Sequence, residues 1–320
     1  MTEPIPQMGP RQWGLLAMLS VLWGASFMAI EVAITALPPL TVVAVRVSLA
    51  AFGLYCFMKL TGVSVPGAGH KNKWQIWGAL AVMGLLNNIM PFSLIAWGQT
   101  QIASSLASIL NATMPLFTVF VAHFFIHDER LTARRFSGVL VGFLGVVSII
   151  GPGSLAGLTG EFMGQVSVLA GSLSYAFAVV AGRRFVGLGL KPVQMAFGQV
   201  TMAAVMLIPI VIVVDAPQSL PLPEARVWAA LLSLSLLSTA LAYLLYFRLI
   251  SEAGATSASL VTLTIPVVAT TFGVLFLDES LQLGHGIGLV LIGLGLLVLD
   301  GRLLRRLRNS IRRQASSPPL

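Results

Sequence analysis

The chain contains one structural pattern twice. Residues 77–150 have a second copy at residues 228–299, at an offset of about 150 residues. The matched positions are Trp77 and Trp228, Ala107-Ser108 and Ala258-Ser259, Pro115 and Pro266, Asp128-Glu129 and Asp278-Glu279, Gly138 and Gly288, and Gly145 and Gly295. A repeat of this length indicates a fold built from two similar units, as in many membrane transporters.

Composition places both units in a membrane. Hydrophobic residues make up 57% of the chain and charged residues 9%, whereas about a quarter of the residues in soluble proteins are charged. Apolar windows recur along the whole length, and each is long enough to cross a hydrocarbon core of about 30 Å. The windows predict transmembrane helices at residues 13–36, 39–59, 74–97, 101–126, 134–151, 160–182, 192–214, 227–250, 255–277 and 284–303. The predicted fold class is therefore an all-α integral membrane protein with ten transmembrane helices.

The distribution of basic residues predicts the orientation of these helices. Short loops rich in lysine and arginine remain in the cytoplasm. With both termini cytoplasmic, all but Arg46 and Arg226 of the 19 lysines and arginines lie on the cytoplasmic side. Because these residues flank apolar spans, the expected partner is the lipid bilayer and not a nucleic acid. The prediction includes a basic cytoplasmic tail at residues 304–320.

Five spans in each unit is an odd number, so the second unit must enter the membrane in the opposite direction. The loops agree, since Asp128-Glu129 is followed by Arg130, Arg134 and Arg135, whereas Asp278-Glu279 has no basic neighbour. We therefore predict two inverted five-helix repeats, at residues 13–151 and 160–303.

Several motifs in both units resemble those of a known family. They are Trp23-Gly24-Ala25-Ser26-Phe27, Arg46, Ala103 to Pro115, Asp128 to Thr132, Gly138 to Gly145, Ala255 to Pro266 and Asp278 to Leu281. With these motifs the chain resembles the ten-helix, EamA-type members of the drug/metabolite transporter (DMT) superfamily, which includes bacterial exporters of amino acids and metabolites. The resemblance implies two inverted repeats around a central cavity, alternating access and a bacterial inner membrane. It also suggests a closer similarity to the aromatic amino-acid exporters of that family.

Two ionisable residues are clear cases of an intramembrane position away from the span ends, where a charge is costly and indicates a functional role. Glu31 is in the outer half of the first span and Arg46 in the outer half of the second. Their similar depths predict a buried ion pair. That pair would either lock the two helices together or take part in coupling, with Glu31 exchanging protons or contacting a substrate ammonium group.

Uncharged polar and aromatic residues predict the substrate cavity. Asn88 in the third span is matched by Thr239 in the eighth, and both would be poor choices facing lipid. The predicted cavity residues are Trp23, Ser26, Phe27, Asn87, Asn88, Phe92, Ser108, Asn111, Tyr175, Gln199, Thr239 and Tyr243. Such groups could bind the carboxylate and ammonium of a zwitterion between aromatic walls. Hydrogen bonds between helices are the alternative explanation for them.

Glycines and prolines within the spans predict close packing and bending. Gly138, Gly142, Gly145, Gly284, Gly288 and Gly295 are expected to line helix contacts, because small residues let helices approach closely in lipid. Pro91, Pro115 and Pro266 each remove a backbone donor. They are expected either to kink their helices or to act as hinges.

One constellation fits an enzyme. His123 and His127 are four residues apart, a spacing that places both imidazoles on one helical face and can hold a metal ion. No third imidazole or cysteine lies nearby in the sequence, so we expect no metal. No phosphate-binding loop is present, and we expect transport that is facilitated or driven by a gradient, without a cofactor.

The sequence thus predicts a monomeric exporter of small organic solutes, of which aromatic or other neutral amino acids fit best. Nucleosides, vitamins or cationic drugs are alternative substrates. A metal-dependent membrane enzyme at the His123 and His127 face is the alternative from another class. A structural membrane component with a vestigial cavity is a third.

Overall fold

The structure, a computed structural model, describes residues 8–69, 72–126, 132–154, 159–254, 258 and 260–300. These residues are largely helical and include no strand. The helices are α1 (Pro10–Ile34), α2 (Pro39–Leu60), α3 (Lys73–Gly98), α4 (Ser104–Phe125), α5 (Ala133–Ser154), α6 (Gly160–Phe185), α7 (Pro192–Val214), α8 (Ala225–Ala253), α9 (Val261–Phe276) and α10 (Leu283–Asp300). Within the described residues, α1 to α8 are long and apolar enough to cross a membrane, and α9 and α10 are shorter apolar helices.

Proline begins three of these helices. Pro10, Pro39 and Pro192 occupy the first positions of α1, α2 and α7. A residue at this position has no intrahelical partner for its N–H, and the fixed φ of proline already suits a helix. Proline at these three positions therefore favours the start of a helix.

Pro115 interrupts α4, which was predicted as a single span over residues 101–126. The helix runs from Ser104 to Asn111, breaks at Ala112 and Thr113, and resumes as Met114–Phe125. Proline cannot donate to the carbonyl four residues earlier, and its ring clashes with that carbonyl. Here that carbonyl belongs to Asn111, where the first segment ends.

Two helices contain π-helical segments that the sequence did not predict. In α3 the segment is Leu85–Ile89 and in α8 it is Ser233–Leu241. The two segments occupy corresponding positions in the sequence repeat. A π-helical turn holds an extra residue and commonly marks a functional site.

The beginning of the predicted span at residues 255–277 lies outside the described residues, and α9 is described from Val261.

The main helix contacts are the same when residues 13–151 and 160–303 are exchanged. α1 packs against α8 and α9, and α6 packs against α3 and α4. α3 contacts α7, and α8 contacts α2. The pairs α2 with α7, α4 with α9 and α5 with α10 each join a helix to its own counterpart.

Glycines make the contact between α5 and α10 close. A Cβ atom at Gly138 would stand 2.8 Å from the carbonyl oxygen of Gly295, and one at Gly145 would stand 2.8 Å from that of Gly288. Any larger residue would force the two backbones apart. Gly142 lies against Leu116 of α4. The predicted helix contacts at these glycines are confirmed.

Candidate substrate site

Arg46 on α2 is buried in the middle of the bundle, with 6% of its surface exposed. Its Nε donates a hydrogen bond of 2.9 Å to Oγ1 of Thr239 on α8. Its guanidinium carbon lies 3.7 Å from the centroid of the Phe92 ring on α3. The Thr239 hydroxyl donates its own hydrogen to the carbonyl of Leu234, so its oxygen is free to accept from Arg46. These contacts fix the cation between α3 and α8.

A network of amide and phenol groups lies on the neighbouring helices. Nδ2 of Asn87 donates to Oε1 of Gln199 on α7 at 3.1 Å and, more weakly, to the Tyr243 hydroxyl at 3.4 Å. The Tyr243 hydroxyl donates to Oδ1 of Asn88 at 2.9 Å. Thus α3, α7 and α8, from both halves of the chain, are joined by buried and half-buried side chains.

The local backbone explains why both asparagines take part. Pro91 has no N–H for the carbonyl of Asn87, four residues earlier, and the π-helical segment of α3 lies at this point. In an α-helix successive side chains point about 100° apart. A π-helical turn contains more residues, so this angle is smaller and two successive side chains, here those of Asn87 and Asn88, can both face the bundle. Gly84 allows the close approach of α7, since a Cβ there would stand 2.7 Å from the Gln199 carbonyl oxygen.

Aromatic side chains extend from this network in two directions. The Phe92 ring meets Tyr175 of α6 edge-on, with 6.5 Å between centroids. On the other side Tyr243, Phe247, Tyr246 and Trp23 form a chain of ring contacts, with centroid distances of 6.4, 5.8 and 5.3 Å. Tyr246 and Phe247 were not among the predicted cavity residues.

These contacts form two sets on successive turns of α3 and α8, one with Arg46, Phe92, Tyr175 and Thr239 and the other with Asn87, Asn88, Gln199 and Tyr243. We call the eight residues together the central cluster. It contains seven of the twelve predicted cavity residues, together with Arg46. Asn111 is not among them, and its Oδ1 accepts from the Ser172 hydroxyl of α6 at 3.2 Å.

Ser26 and Ser108 serve their own helices instead. The Ser26 hydroxyl donates to the Trp23 carbonyl at 2.6 Å, and the Ser108 hydroxyl to the Ser105 carbonyl at 2.7 Å. Phe27 is part of the hydrophobic core. The structure therefore does not connect these three to the central cluster.

The predicted ion pair between Glu31 and Arg46 is not formed. Glu31 accepts a hydrogen bond of 3.1 Å from Nε2 of Gln99, at the end of α3. The same Nε2 donates to the Phe27 carbonyl at 2.9 Å. Arg46 instead points toward Phe92 and Thr239. Similar depth along two helices did not fix the direction of either side chain, and the prediction was wrong for this reason.

Glu31 also faces a cavity of about 540 Å³ between α1, α8 and α9. Its walls are Met28, Ala29, Glu31, Val32, Thr35, Arg226, Ala229, Ala230, Ser233, Phe276 and Leu277. These residues come from the end of α1, the start of α8 and the end of α9, which is the side predicted to be extracellular. No member of the central cluster lines this cavity, so Glu31 and Arg46 belong to separate sites in this conformation.

Glu279 is a functional candidate that the sequence did not reveal. One of its carboxylate oxygens accepts from the backbone N–H and the hydroxyl of Ser104 at 2.8 and 2.7 Å, and the other from the N–H of Ser105 at 3.0 Å. A carboxylate satisfies free N–H groups and the positive end of the dipole at a helix N-terminus. Glu279 thus caps α4 from the other half of the chain. The repeated acidic pair was the available signal.

The three prolines have different positions. Pro91 is the second residue after the π-helical segment of α3, and Pro115 is the second residue of the second segment of α4. Pro266 lies inside α9, whose helix continues past it. The ring of His123 contacts Phe124, with 5.1 Å between centroids, and His127 lies outside the described residues. Among the residues that were described, no group of three or more side chains could hold a metal ion.

An apolar helical bundle with a polar, partly charged cluster contributed by both halves is the architecture of an integral membrane protein, and it is one that a transporter would need. The model of the EamA-like transporter family matches residues 11–151 and 162–299. The chain belongs to this family.

Relatives across most of the length carry transporter names. An uncharacterized transporter of Bacillus subtilis, YoaV, is 26% identical over 88% of this chain and 94% of its own length. The uncharacterized inner membrane transporter YedA of Escherichia coli K12 is 29% identical over 84% of each chain. A solved crystal structure covers 94% of this chain and 99% of its own, with a TM-score of 0.66 and 20% identity. This last match shows the fold alone.

Proposed function

We propose that this protein exports small organic solutes, and in particular neutral amino acids, across the inner membrane by alternating access. The observation that carries the proposal is the central cluster. It places hydrogen-bonding groups of both polarities, one cation and several aromatic rings at the junction of the two halves. Amino acids need this combination, since they present two charged groups and an apolar or aromatic side chain.

The helix contacts support a pair of inverted repeats. Exchange of the two units preserves the main helix contacts, and the π-helical segments of α3 and α8 occupy corresponding places. The family model also matches the chain in two segments of similar length. Two units with five spans each have opposite directions in the membrane, and rocking one against the other would expose the central cluster to each side in turn.

The orientation proposed for the chain has both termini in the cytoplasm. Its support is the distribution of lysine and arginine in the sequence. The inner membrane is supported by YedA, which is named an inner membrane transporter. We propose that the working unit is a monomer, because the central cluster draws on helices of one chain.

The test is uptake into proteoliposomes of the purified full-length protein. The panel contains labelled amino acids, nucleosides and organic cations, each with and without an imposed pH gradient. Saturable uptake of an amino acid, absent from protein-free liposomes, is the expected result. Comparison of the two conditions measures proton coupling directly.

The same panel separates the alternatives. Uptake of nucleosides or cations without amino acids would keep the transporter class and reject the amino-acid substrate. No uptake by folded protein would contradict the proposal. In that case, bound metal and a reaction product would be the evidence for an enzyme at His123 and His127.

A further inference from the structure

The central cluster contains a positive charge without a counterion. Among the described side chains, no carboxylate forms an ion pair with Arg46, whose partners are a hydroxyl and a ring. Burying an unpaired charge is costly, because the interior cannot replace the hydration that the ion loses. The central cluster therefore lacks a counterion for Arg46, and a ligand that supplies this counterion must carry a negative charge.

The acidic residues that could supply it are engaged elsewhere. Asp215 accepts from the N–H and hydroxyl of Thr41, and Glu279 from Ser104 and Ser105. Glu31 binds Gln99, and Glu252 pairs with Arg11 and Arg248. Within the described residues, none of these carboxylates is directed toward Arg46.

The guanidinium of Arg46 also has N–H groups without an acceptor among the described residues. Only Nε of Arg46 has a hydrogen-bond acceptor among the described residues, and the two terminal nitrogens have none. These nitrogens carry four N–H groups in one plane, a geometry that matches the two oxygens of a carboxylate. Nδ2 of Asn88, a further buried donor, also lacks an acceptor in this part of the structure.

The charge count selects the kind of anion. Arg46 is the single formal charge in the central cluster, so a group with one negative charge neutralises the site. A phosphate dianion or a dicarboxylate would bring a second negative charge, for which the central cluster has no second cation. The ammonium of a neutral amino acid needs only acceptors, and the amide oxygens of Asn88 and Gln199 are of this kind. The rings of Phe92 and Tyr175 suit an apolar substituent next to the anionic group.

We infer that the transported solute carries a carboxylate and that Arg46 binds this group through its terminal nitrogens. This inference rests on the proposed transport function and specifies its substrate class. Arg46 is then the residue that separates carboxylates from amides, amines and nucleosides of similar size.

The test begins with the wild-type full-length protein in detergent. Isothermal titration compares leucine with leucinamide, which keeps the ammonium and loses the carboxylate, and benzoate with benzamide. All titrations use the same pH and the same chloride concentration. We expect leucine and benzoate to bind at least about 100-fold more tightly than their amides, as the loss of two charge-assisted hydrogen bonds implies.

Variants then assign the effect to Arg46. Arg46→Gln removes the charge and should abolish the preference for carboxylates. Arg46→Lys keeps the charge without the planar fork and should give an intermediate preference. Arg134→Gln, a charge loss at the start of α5, is the matched control and should bind like the wild type. If Arg46→Gln does not fold, the comparison of each acid with its amide on the wild type still decides the question.

The outcomes distinguish this inference from the proposed function. Equal binding of each acid and its amide would overturn the carboxylate site, even if the proteoliposomes transport other solutes. Inorganic phosphate that competes as well as benzoate would also overturn it, because the site would then not select singly charged carboxylates. Carboxylate binding that depends on Arg46, without any transport, would support the site and contradict the transport proposal.

Discussion

At the scale of single residues, Tyr243 joins α8 to both asparagines of α3 in the central cluster. Its hydroxyl donates to Asn88 and accepts from Asn87. Tyr243→Phe leaves the Asn88 oxygen without a donor, and an orphaned buried polar group costs about 1–3 kcal/mol. We expect a lower midpoint of thermal unfolding in detergent. Tyr55→Phe, which changes a partly exposed tyrosine on α2, should leave the midpoint unchanged.

Glu31 is the residue to test for proton coupling. Glu31 contacts Gln99 and faces the cavity between α1, α8 and α9, and both features separate it from Arg46. If Glu31 carries the proton, Glu31→Gln removes the pH-dependent part of transport, because the amide cannot exchange a proton. Glu224→Gln, at an exposed position of the loop before α8, serves as the control. Transport by Glu31→Gln with the wild-type pH profile would make Glu31 structural.

The residues also show how far the sequence alone could lead. Asn87, Asn88, Gln199 and Tyr243 were predicted to line a substrate cavity, because polar side chains within a span are expected to face the bundle interior. The structure joins the four by hydrogen bonds, and their role in binding stays a prediction. Their individual partners could not be predicted. The direction of Arg46 depends on rotation about the helix axis, which packing against α3 and α8 determines. The capping role of Glu279 depends on a contact across 175 residues of sequence.

At the scale of helices, the contact between α5 and α10 makes a sharp prediction. A Cβ atom at Gly295 would stand 2.6 Å from the carbonyl oxygen of Gly138, closer than packed atoms can come. Gly295→Ala should therefore lower thermal stability. Gly293→Ala, on the same helix, meets nothing within 4 Å and should be neutral or slightly stabilising, since alanine favours a helix by about 1 kcal/mol over glycine. Equal midpoints for the two variants would contradict the close packing.

The cap on α4 is a second prediction at this scale. Glu279→Gln replaces a carboxylate that accepts three hydrogen bonds with a neutral amide that has a single oxygen acceptor. We expect destabilisation by about 1–3 kcal/mol, the usual effect of losing hydrogen bonds to a charged group. The comparison is Asp278→Asn, because that neighbouring side chain is exposed and asparagine tolerates its positive φ of 54°. A loss of stability in Asp278→Asn as large as that in Glu279→Gln would argue against the cap.

The helices themselves were largely predictable, since an apolar window of sufficient length is a local property of the chain. Their irregularities were less so. Pro115 explains the break in α4 once the structure is known, yet Pro266 occupies the matched position and α9 continues through it. The π-helical segment of α8 contains no proline. Such features depend on hydrogen bonds with neighbouring helices, which a single helix does not encode.

At the scale of the whole molecule, the proposed orientation can be tested by labelling. In a Cys56→Ser background, which removes the single cysteine, Leu222→Cys and Val65→Cys place thiols in exposed positions at opposite ends of the bundle. In intact cells we expect a membrane-impermeant maleimide to label Leu222→Cys alone. Disrupted cells should label both. Labelling of Val65→Cys in intact cells would reverse the proposed orientation.

The contact between α5 and α10 has a consequence for how the molecule is assembled. Gly138 meets Gly295 and Gly145 meets Gly288, while Gly138 corresponds to Gly288 and Gly145 to Gly295 in the repeat. Exchange of α5 and α10 would therefore leave the glycine contacts between them the same. This contact has the geometry of a symmetric dimer interface enclosed in one polypeptide. Covalent linkage fixes the stoichiometry of this interface at one to one, and each half is synthesised together with its partner.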